Sequence, residues 1–352
     1  MKKILFRTAA YAVCAAIFAY LFIHISYAVR PKLSHTQDNI SGFYGEEKNS
    51  LDVVFVGSSG TMSAFMPLSA YKEHGFTSYN FCFNELCYQT MPYAVKEVLK
   101  YQKPKVLFID IKTFIRPVSI LTAFANGEEG TCHFNTDAFK YSLDRAEFIW
   151  RYLPHTSAAI PYYLDLVKYH REPFNYKNWN SEIHFTNRGF QFMSWGNEID
   201  FPAPTDKELP VEASIEAAYR ETMEVAKTAS PDTEVVFLYY PYANTIYNDT
   251  PLENLNYLVR ITEEAGLPFL NLSPHYDEFG FDVNVDYWNN GHWNVYGAEK
   301  VTAYMGKYLT EHYDLPDHRG DEAYSLWDAD AKKWRKRIRK EKKIIDKARS
   351  KA

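Results

Sequence analysis

Leu51-Asp52-Val53-Val54-Phe55-Val56-Gly57-Ser58-Ser59-Gly60 is the stretch on which the reading of this chain turns. Leu51 to Val56 is a short run rich in β-branched residues, and it stops at Gly57. Such a run reads as a strand buried on both faces and entering a turn. The same signature returns at Thr77 to Phe83, Lys105 to Ile111, Glu234 to Tyr239 (ending at Pro241) and Pro268 to Leu272. Helical spacing occupies Tyr88 to Tyr101, Val211 to Ala229, Leu252 to Ala265 (closed by Gly266) and Asn294 to His312. Strands alternating with helices predict an α/β domain whose parallel sheet is covered on both faces.

Between the third and fourth strands, about Thr113 to Pro210, the rhythm breaks into a stretch rich in aromatics, Asn and Pro. It reads as a large insertion, with short helices expected around Tyr141 to Tyr152 and Ala158 to Tyr169. Insertions of this kind build lids and substrate walls.

Ala9 to Val29 is an apolar run interrupted only by His24 and Ser26. At about 1.5 Å per residue it spans roughly 30 Å, the thickness of a bilayer core. Lys2, Lys3 and Arg7 precede it, and Arg30 and Lys32 follow. That cationic tip favours a cytoplasmic N-terminus with the remainder outside the cell. A cleaved signal peptide would have a shorter apolar core, and Ser26-Tyr27-Ala28 sets a large Tyr between small residues. The expectation is an uncleaved, single-pass signal anchor in the cell membrane. Residues 1–30 then form the cytoplasmic tip and anchor, 31–50 a polar linker, 51–320 the extracytoplasmic domain, and 321–352 a basic helix. That helix carries Lys332, Lys333, Arg335, Lys336, Arg337, Arg339, Lys340, Lys342 and Lys343. It reads as exposed, either a solvated tail or a contact for anionic headgroups or an acidic wall polymer.

Composition narrows the classes. The 352 residues are 46% hydrophobic and 24% charged, enough for a large core and too apolar for a disordered chain. A net charge of −5 argues against a nucleic-acid partner. Aromatic residues at 17% suit sugar rings, and equally suit a large core. Cys14 lies in the apolar run, and Cys82, Cys87 and Cys132 show no zinc-ligand spacing. Buried free thiols are expected, and neither metal nor cofactor. Glu278, Asp282 and Asp286 have no ligand spacing either, and His184, Arg188 and Trp195 in the insertion read as substrate contacts or as local packing.

Two loops carry candidate chemistry. Ser59 follows the first strand, and ligands of open parallel sheets bind beyond the carboxyl ends of strands. A Ser there, at the start of a helix, can serve as nucleophile and backbone oxyanion donor. Gly-Ser-Ser-Gly is also a common turn, so the second loop matters: Asp286-Tyr287-Trp288-Asn289-Asn290-Gly291-His292 lies after the last strand and before the final helix. It opens at the same edge, where His292 can take a proton from Ser59 if a neighbour orients its ring.

Gly57-Ser58-Ser59 after a first strand resembles the opening block of the SGNH/GDSL-hydrolase superfamily, with Ser59 at the nucleophile position. Asn289-Asn290-Gly291-His292 resembles its closing Asp-x-x-His block, with His292 as general base. Asn294 through Thr302 is similar to a bacterial membrane-anchored branch related to teichoic-acid D-alanylation and alginate O-acetylation proteins. The resemblance covers roughly residues 51–320. It implies a flavodoxin-like three-layer α/β/α sandwich. It also implies serine esterase or O-acyltransferase chemistry on a cell-surface carbohydrate or wall polymer, often beside a multi-spanning membrane acyltransferase. The chain departs from the pattern at three places. The triad-acid position holds Asn289, leaving Asp286 as the nearby carboxylate. The second-block Gly has no clear match; Cys82 and Asn84, near the end of the second strand, are the candidates there, and Ser58 and Gly60 are further candidate oxyanion and substrate groups. The third-block Asn is absent where the third strand ends in Asp110-Ile111-Lys112-Thr113. These departures keep open a non-catalytic, polysaccharide-binding accessory subunit of a membrane O-acyltransferase system.

Overall fold

The computed structural model describes residues 2–31, 35–196, 199, 201–243 and 249–351. Met1, Lys32, Ser34 and Ala352, which entered the sequence reading, lie outside them. Five strands, β1 (Val53–Ser58), β2 (Ser78–Phe83), β3 (Val106–Asp110), β4 (Glu234–Tyr239) and β5 (Phe269–Asn271), form one sheet in the order β2-β1-β3-β4-β5. Every pairing in it is parallel. This is the flavodoxin-like strand order, with its topological switch between β1 and β3.

The helices lie on both faces, as continuous apolar strands require. The chain runs through α1 (Lys2–Ala28) and α2 (His35–Tyr44) before β1, and α3 (Ser59–Ala64) and α4 (Pro67–His74) after it. Pro67 starts α4, and Gly75 at φ +91° ends it. Helix α5 (Met91–Tyr101) links β2 to β3. The insertion then supplies α6 (Lys112–Ile115), α7 (Ile120–Ala125), α8 (Glu129–Thr136), α9 (Leu143–Tyr152), α10 (Ile160–Tyr163) and α11 (Asp165–Tyr169). Helix α12 (Ala213–Ala226) leads into β4, and α13 (Pro251–Glu264) into β5. On one face the Phe55 ring stacks on Phe108 at 5.0 Å and meets Phe65, just after α3, at 4.6 Å. On the other, Phe237 meets Tyr219 of α12 at 5.5 Å. Beyond β5, a hairpin of β6 (Tyr287–Asn289) and β7 (His292–Trp293) runs into α14 (Val295–His312), and α15 (Ser325–Arg349) follows.

Helix α1 is long and apolar enough to cross a membrane by length and composition. Its side chains are exposed from Ile4 to Leu21, whereas Ser26 to Arg30 are buried against the domain, so the expected span Ala9 to Val29 is corrected at its C-terminal end. Cys82, Cys87 and Cys132 are buried and free, and Cys14 is exposed on α1.

Two expectations are corrected. Residues 31–50 are not simply a linker, because α2 packs on the β2 edge of the sheet. Ile40, Phe43 and Tyr44 are buried, and the Phe43 ring lies 4.6 Å from Phe81. The i, i+3, i+4 stripe of these residues suffices for a helix face although the surrounding sequence is polar. The C-terminal basic helix is likewise no free tail. Trp327, Ala331, Trp334 and Ile345 of α15 are buried, Trp327 lies 5.2 Å from Tyr71, and Trp334 Nε1 donates to Ser69 Oγ at 2.9 Å. Its cations Lys332, Lys333, Arg335 and Lys336 line the opposite, exposed side.

Candidate active site

Ser59 is the first residue of α3 and follows β1 directly, while His292 opens β7. The Asn290-Gly291 turn folds β6 back on β7, so Asn289 pairs with His292 across the hairpin. Two residues 233 apart in sequence thus meet at the carboxyl edge: His292 Nε2 lies 2.8 Å from Ser59 Oγ. His292 Nδ1 lies 2.7 Å from Asn289 Oδ1.

The hydrogen-bond pattern fixes the tautomer. The Gly291 N–H donates to Asn289 Oδ1 at 2.9 Å. A backbone N–H can only donate, so the amide presents its oxygen on this side. Nδ1 therefore carries the ring proton and donates to that oxygen. Nε2 is left as the acceptor for the Ser59 hydroxyl, which is the arrangement a general base needs.

Asp286 does not join this relay. Its Oδ2 accepts from the Asp282 N–H at 2.6 Å and from Lys300 Nζ at 2.7 Å, and its carbonyl accepts from the Asn294 N–H. It ties the hairpin to α14, because the loop does not bend enough to bring it to the ring. The group facing Nδ1 is Asn289. Ser58 occupies the residue before α3 in an extended conformation, and among the described residues its buried Oγ has no hydrogen-bond partner. Asn84 sits just past β2 with its N–H on Thr36 Oγ1 at 2.7 Å; no described hydrogen bond joins its side chain to Ser59. Gly60 is buried, and a Cβ there would stand 2.5 Å from Lys112 Nζ and 2.8 Å from the Tyr242 ring. His184 and Arg188 of the insertion pair with Asp330 of α15, Arg188 buried and His184 exposed. Trp195 donates to the Asn284 carbonyl at 2.9 Å.

A charged cluster beside the relay escaped sequence reasoning. Lys112 follows β3, is buried, donates through Nζ to the Gly291 carbonyl at 2.8 Å, and stands 4.3 Å from the Tyr242 ring centroid. Asp110 accepts from the Lys112 N–H at 3.1 Å, from Tyr242 at 2.5 Å, and from Thr61. Arg116 reaches the Asn290 and Ala243 carbonyls. The signal was a pair of charges closing an otherwise apolar strand, at the edge where such sheets bind ligands. Burial pulls the Lys112 amine down to about 7, with Arg116 adding to the shift and Asp110 opposing it. Burial raises the Asp110 carboxyl against the hydrogen bonds that hold it ionised. His292 is held well below the usual histidine value, first by burial and then by the Lys112 and Arg116 charges. Its ring is neutral at physiological pH.

Among the described residues, no group of three or more His, Cys, Asp or Glu is placed to hold a metal ion. An open cleft of about 830 Å³ adjoins the cluster, lined in part by Pro202, Tyr242, Asn271 and Tyr276. Tyr242 thus touches both the charged cluster and the cleft.

No protein-family profile and no curated protein matches this sequence. Among solved structures, a gut microbial diltiazem-metabolizing enzyme is similar at 11% identity and a TM-score of 0.35, over 77% of this chain. The chain spans 48% of that enzyme's length.

Proposed function

We propose that this chain is a membrane-anchored, extracytoplasmic serine esterase or O-acyltransferase of the SGNH type. Its substrate is an acyl ester on a cell-surface carbohydrate or wall polymer. The observation that carries the reading is the Ser59–His292–Asn289 relay at the topological switch of a flavodoxin-like sheet. Ser59 Oγ attacks the ester carbonyl while its proton passes to His292 Nε2. The N–H groups that open α3 have no intrahelical partner and are the available donors to the oxyanion. The tetrahedral adduct expels the alcohol, which takes the proton from Nε2, and an acyl-Ser59 ester remains. Water or a sugar hydroxyl then attacks that ester, giving its proton to Nε2, which passes it to the departing Ser59 Oγ, so that the hydroxyl and the neutral ring are both restored. Hydrolysis and transfer are thus two outcomes of one intermediate. The cleft beside Tyr242 has the size of a small-molecule site and an aromatic lining suited to a sugar ring.

The localisation follows from α1. The span has cations before it, and these favour a cytoplasmic tip with the domain outside. A multi-spanning acyltransferase in the same membrane is the expected source of acyl groups.

Asn289 favours a second reading. An amide orients the ring without stabilising an imidazolium, and the charges of Lys112 and Arg116 both act against it. That pattern fits an accessory subunit that binds polysaccharide without turnover. The deciding experiment is labelling of the detergent-solubilised full chain by a fluorophosphonate, with Ser59→Ala and His292→Ala as controls. Labelling lost in both variants supports the enzyme. No labelling of folded wild type sinks it in favour of the accessory subunit.

A further inference from the structure

We propose that the exposed apolar surface of the insertion next to α1 is a membrane seat. In this arrangement α10, α11 and the turn through Tyr176 lie in the headgroup layer of the bilayer that α1 spans. The proposal rests on the reading of α1 as a membrane span.

The first support is that the anchor does not leave the domain through a free hinge. Ser26, Tyr27, Ala28, Val29 and Arg30 are all buried. The Asn175 N–H donates to the Ala28 carbonyl at 2.8 Å, closing the last turn of α1 onto the insertion. His24 stacks on Trp179 at 5.1 Å, and its Nδ1 lies 2.6 Å from the Trp179 carbonyl. Arg30 Nε bonds Asp165 of α11 at 2.5 Å, and Arg145 Nη2 holds the other oxygen of that carboxylate at the same distance. Buried and hydrogen-bonded on both sides, this junction fixes the direction of α1 relative to the domain.

The second support is what surrounds the junction. Phe174 and Tyr176 flank Asn175 and are 57% and 73% exposed. Ile160 of α10 and Val167 of α11 are 44% and 48% exposed. They lie on α11 and the Tyr176 turn, both in contact with α1, and on α10, which packs against α11; exposed apolar side chains clustered in this way mark a contact surface. The surface is continuous with the anchor: Phe174 packs on Trp179 at 6.3 Å, and Trp179 packs on Tyr20 and His24. Below Tyr20 the helix is bare and apolar. Tyr20, His24 and Trp179 therefore stand where hydrocarbon gives way to headgroups, the level that amphipathic aromatics favour. Phe174 and Tyr176 sit at that same level.

Charge fits as well. Arg171 and Lys177 are exposed in this stretch, with Glu172 the acid beside them, and exposed cations at the headgroup layer attract anionic phospholipid. The seat also lies near the edge of the sheet that carries the chemistry. Arg30 Nη2 donates to the Phe139 carbonyl, and the Phe139 ring packs at 5.3 Å on Phe83, the last residue of β2 and the neighbour of Ser58 in the sheet.

The test uses the full chain in liposomes of phosphatidylcholine and phosphatidylglycerol, with bimane on the one exposed cysteine of each chain (Cys82, Cys87 and Cys132 are buried) and nitroxide-bearing lipids as quenchers. Native Cys14 reports on the span. In a Cys14→Ser background, Phe174→Cys and Tyr176→Cys report on the seat. Leu326→Cys is the control, because it is 62% exposed and lies near His318, which bonds Asp52 at the opposite edge of the sheet. The expected result is quenching at 14, 174 and 176 several-fold stronger than at 326. Quenching at 14, with 174 and 176 no stronger than 326, overturns the seat and leaves this surface to a protein partner. Absence of quenching at 14 overturns the spanning reading and the seat with it.

Discussion

Lys112 Nζ donates to the carbonyl of Gly291 at 2.8 Å, which ties a buried amine to the residue preceding His292. A histidine that serves as general base ordinarily has a carboxylate at its far nitrogen. Here an amide takes that place, and a cation stands close by. The ring is kept neutral and ready to accept a proton, while the imidazolium that follows gains no opposite charge. On the proposed esterase mechanism, the site is preset for the first proton transfer and poorly supported in the second.

Lys112→Met tests that electrostatic setting. His292 works as a base only when neutral, so labelling falls as pH drops through its pKa. In the wild type this acid limb lies below 6.5, because burial, Lys112 and Arg116 all depress the ring. Removing the Lys112 charge raises the ring pKa, and the limb moves to higher pH. An unmoved limb would show that Lys112 has no electrostatic hold on His292. The same variant alters stability. The amine titrates at about 7 in the folded protein and at about 10.4 in an unfolded chain, so between those values the unfolded state binds more protons. Wild-type stability relative to Lys112→Met should therefore rise from pH 7 to 9, read as the difference in urea midpoints.

Asn289→Asp restores a carboxylate while keeping both acceptor contacts, to Nδ1 and to the Gly291 N–H. Exchanging Asp for Asn at this position of a serine protease costs about 10⁴ in rate. The reverse change here should speed labelling at pH 7.5 by at least about tenfold, a small part of that factor. A slower or unchanged rate would mean that the relay is not rate-determining, as the accessory reading holds.

The sheet was legible because its strands are short runs rich in β-branched and aromatic residues. Predicted Leu51–Val56 and Thr77–Phe83 fall within a few residues of β1 and β2, and Glu234–Tyr239 coincides with β4. Ser59 and His292 were legible through their placement at strand ends, the one position where fold alone implies a site. Lys112 was not, because nothing in Asp110-Ile111-Lys112 tells whether a lysine after a strand snorkels to water or turns inward beneath a hairpin from the far end of the chain. The place of Asp286 was hidden for a similar reason: its partner, Lys300, lies a full helical segment away. The Asn290-Gly291 pair, a strong local hairpin signal, would have revealed that Asn289 faces His292. Helices α2 and α15 were underestimated because polar residues outnumber the few that pack.

Arg30→Ala probes the junction between anchor and domain. Removing one partner of a buried ion pair costs about 3–5 kcal/mol. Asp165 keeps Arg145, so the loss should fall at the lower end, about 3 kcal/mol, seen as a lower unfolding temperature of the full chain in detergent. An unchanged temperature would mean that the helix end is not part of the folded domain, and the fixed orientation on the membrane would fail with it.

Trp334→Ala separates a docked C-terminal helix from a solvated one. Trp334 is buried, donates to Ser69 of α4, and packs at 5.2 Å on Phe192. Loss of a buried Trp side chain costs about 3–5 kcal/mol, whereas Lys332→Ala and Lys336→Ala, on the exposed side, should stay within about 0.5 kcal/mol. Denaturant melts of the three variants make the comparison. If Trp334→Ala behaves like the lysine variants, α15 is an appendage. If it alone unfolds early, α15 braces α4 and α14, the helices that follow Ser59 and His292, and its cations are presented from a rigid face rather than a tail.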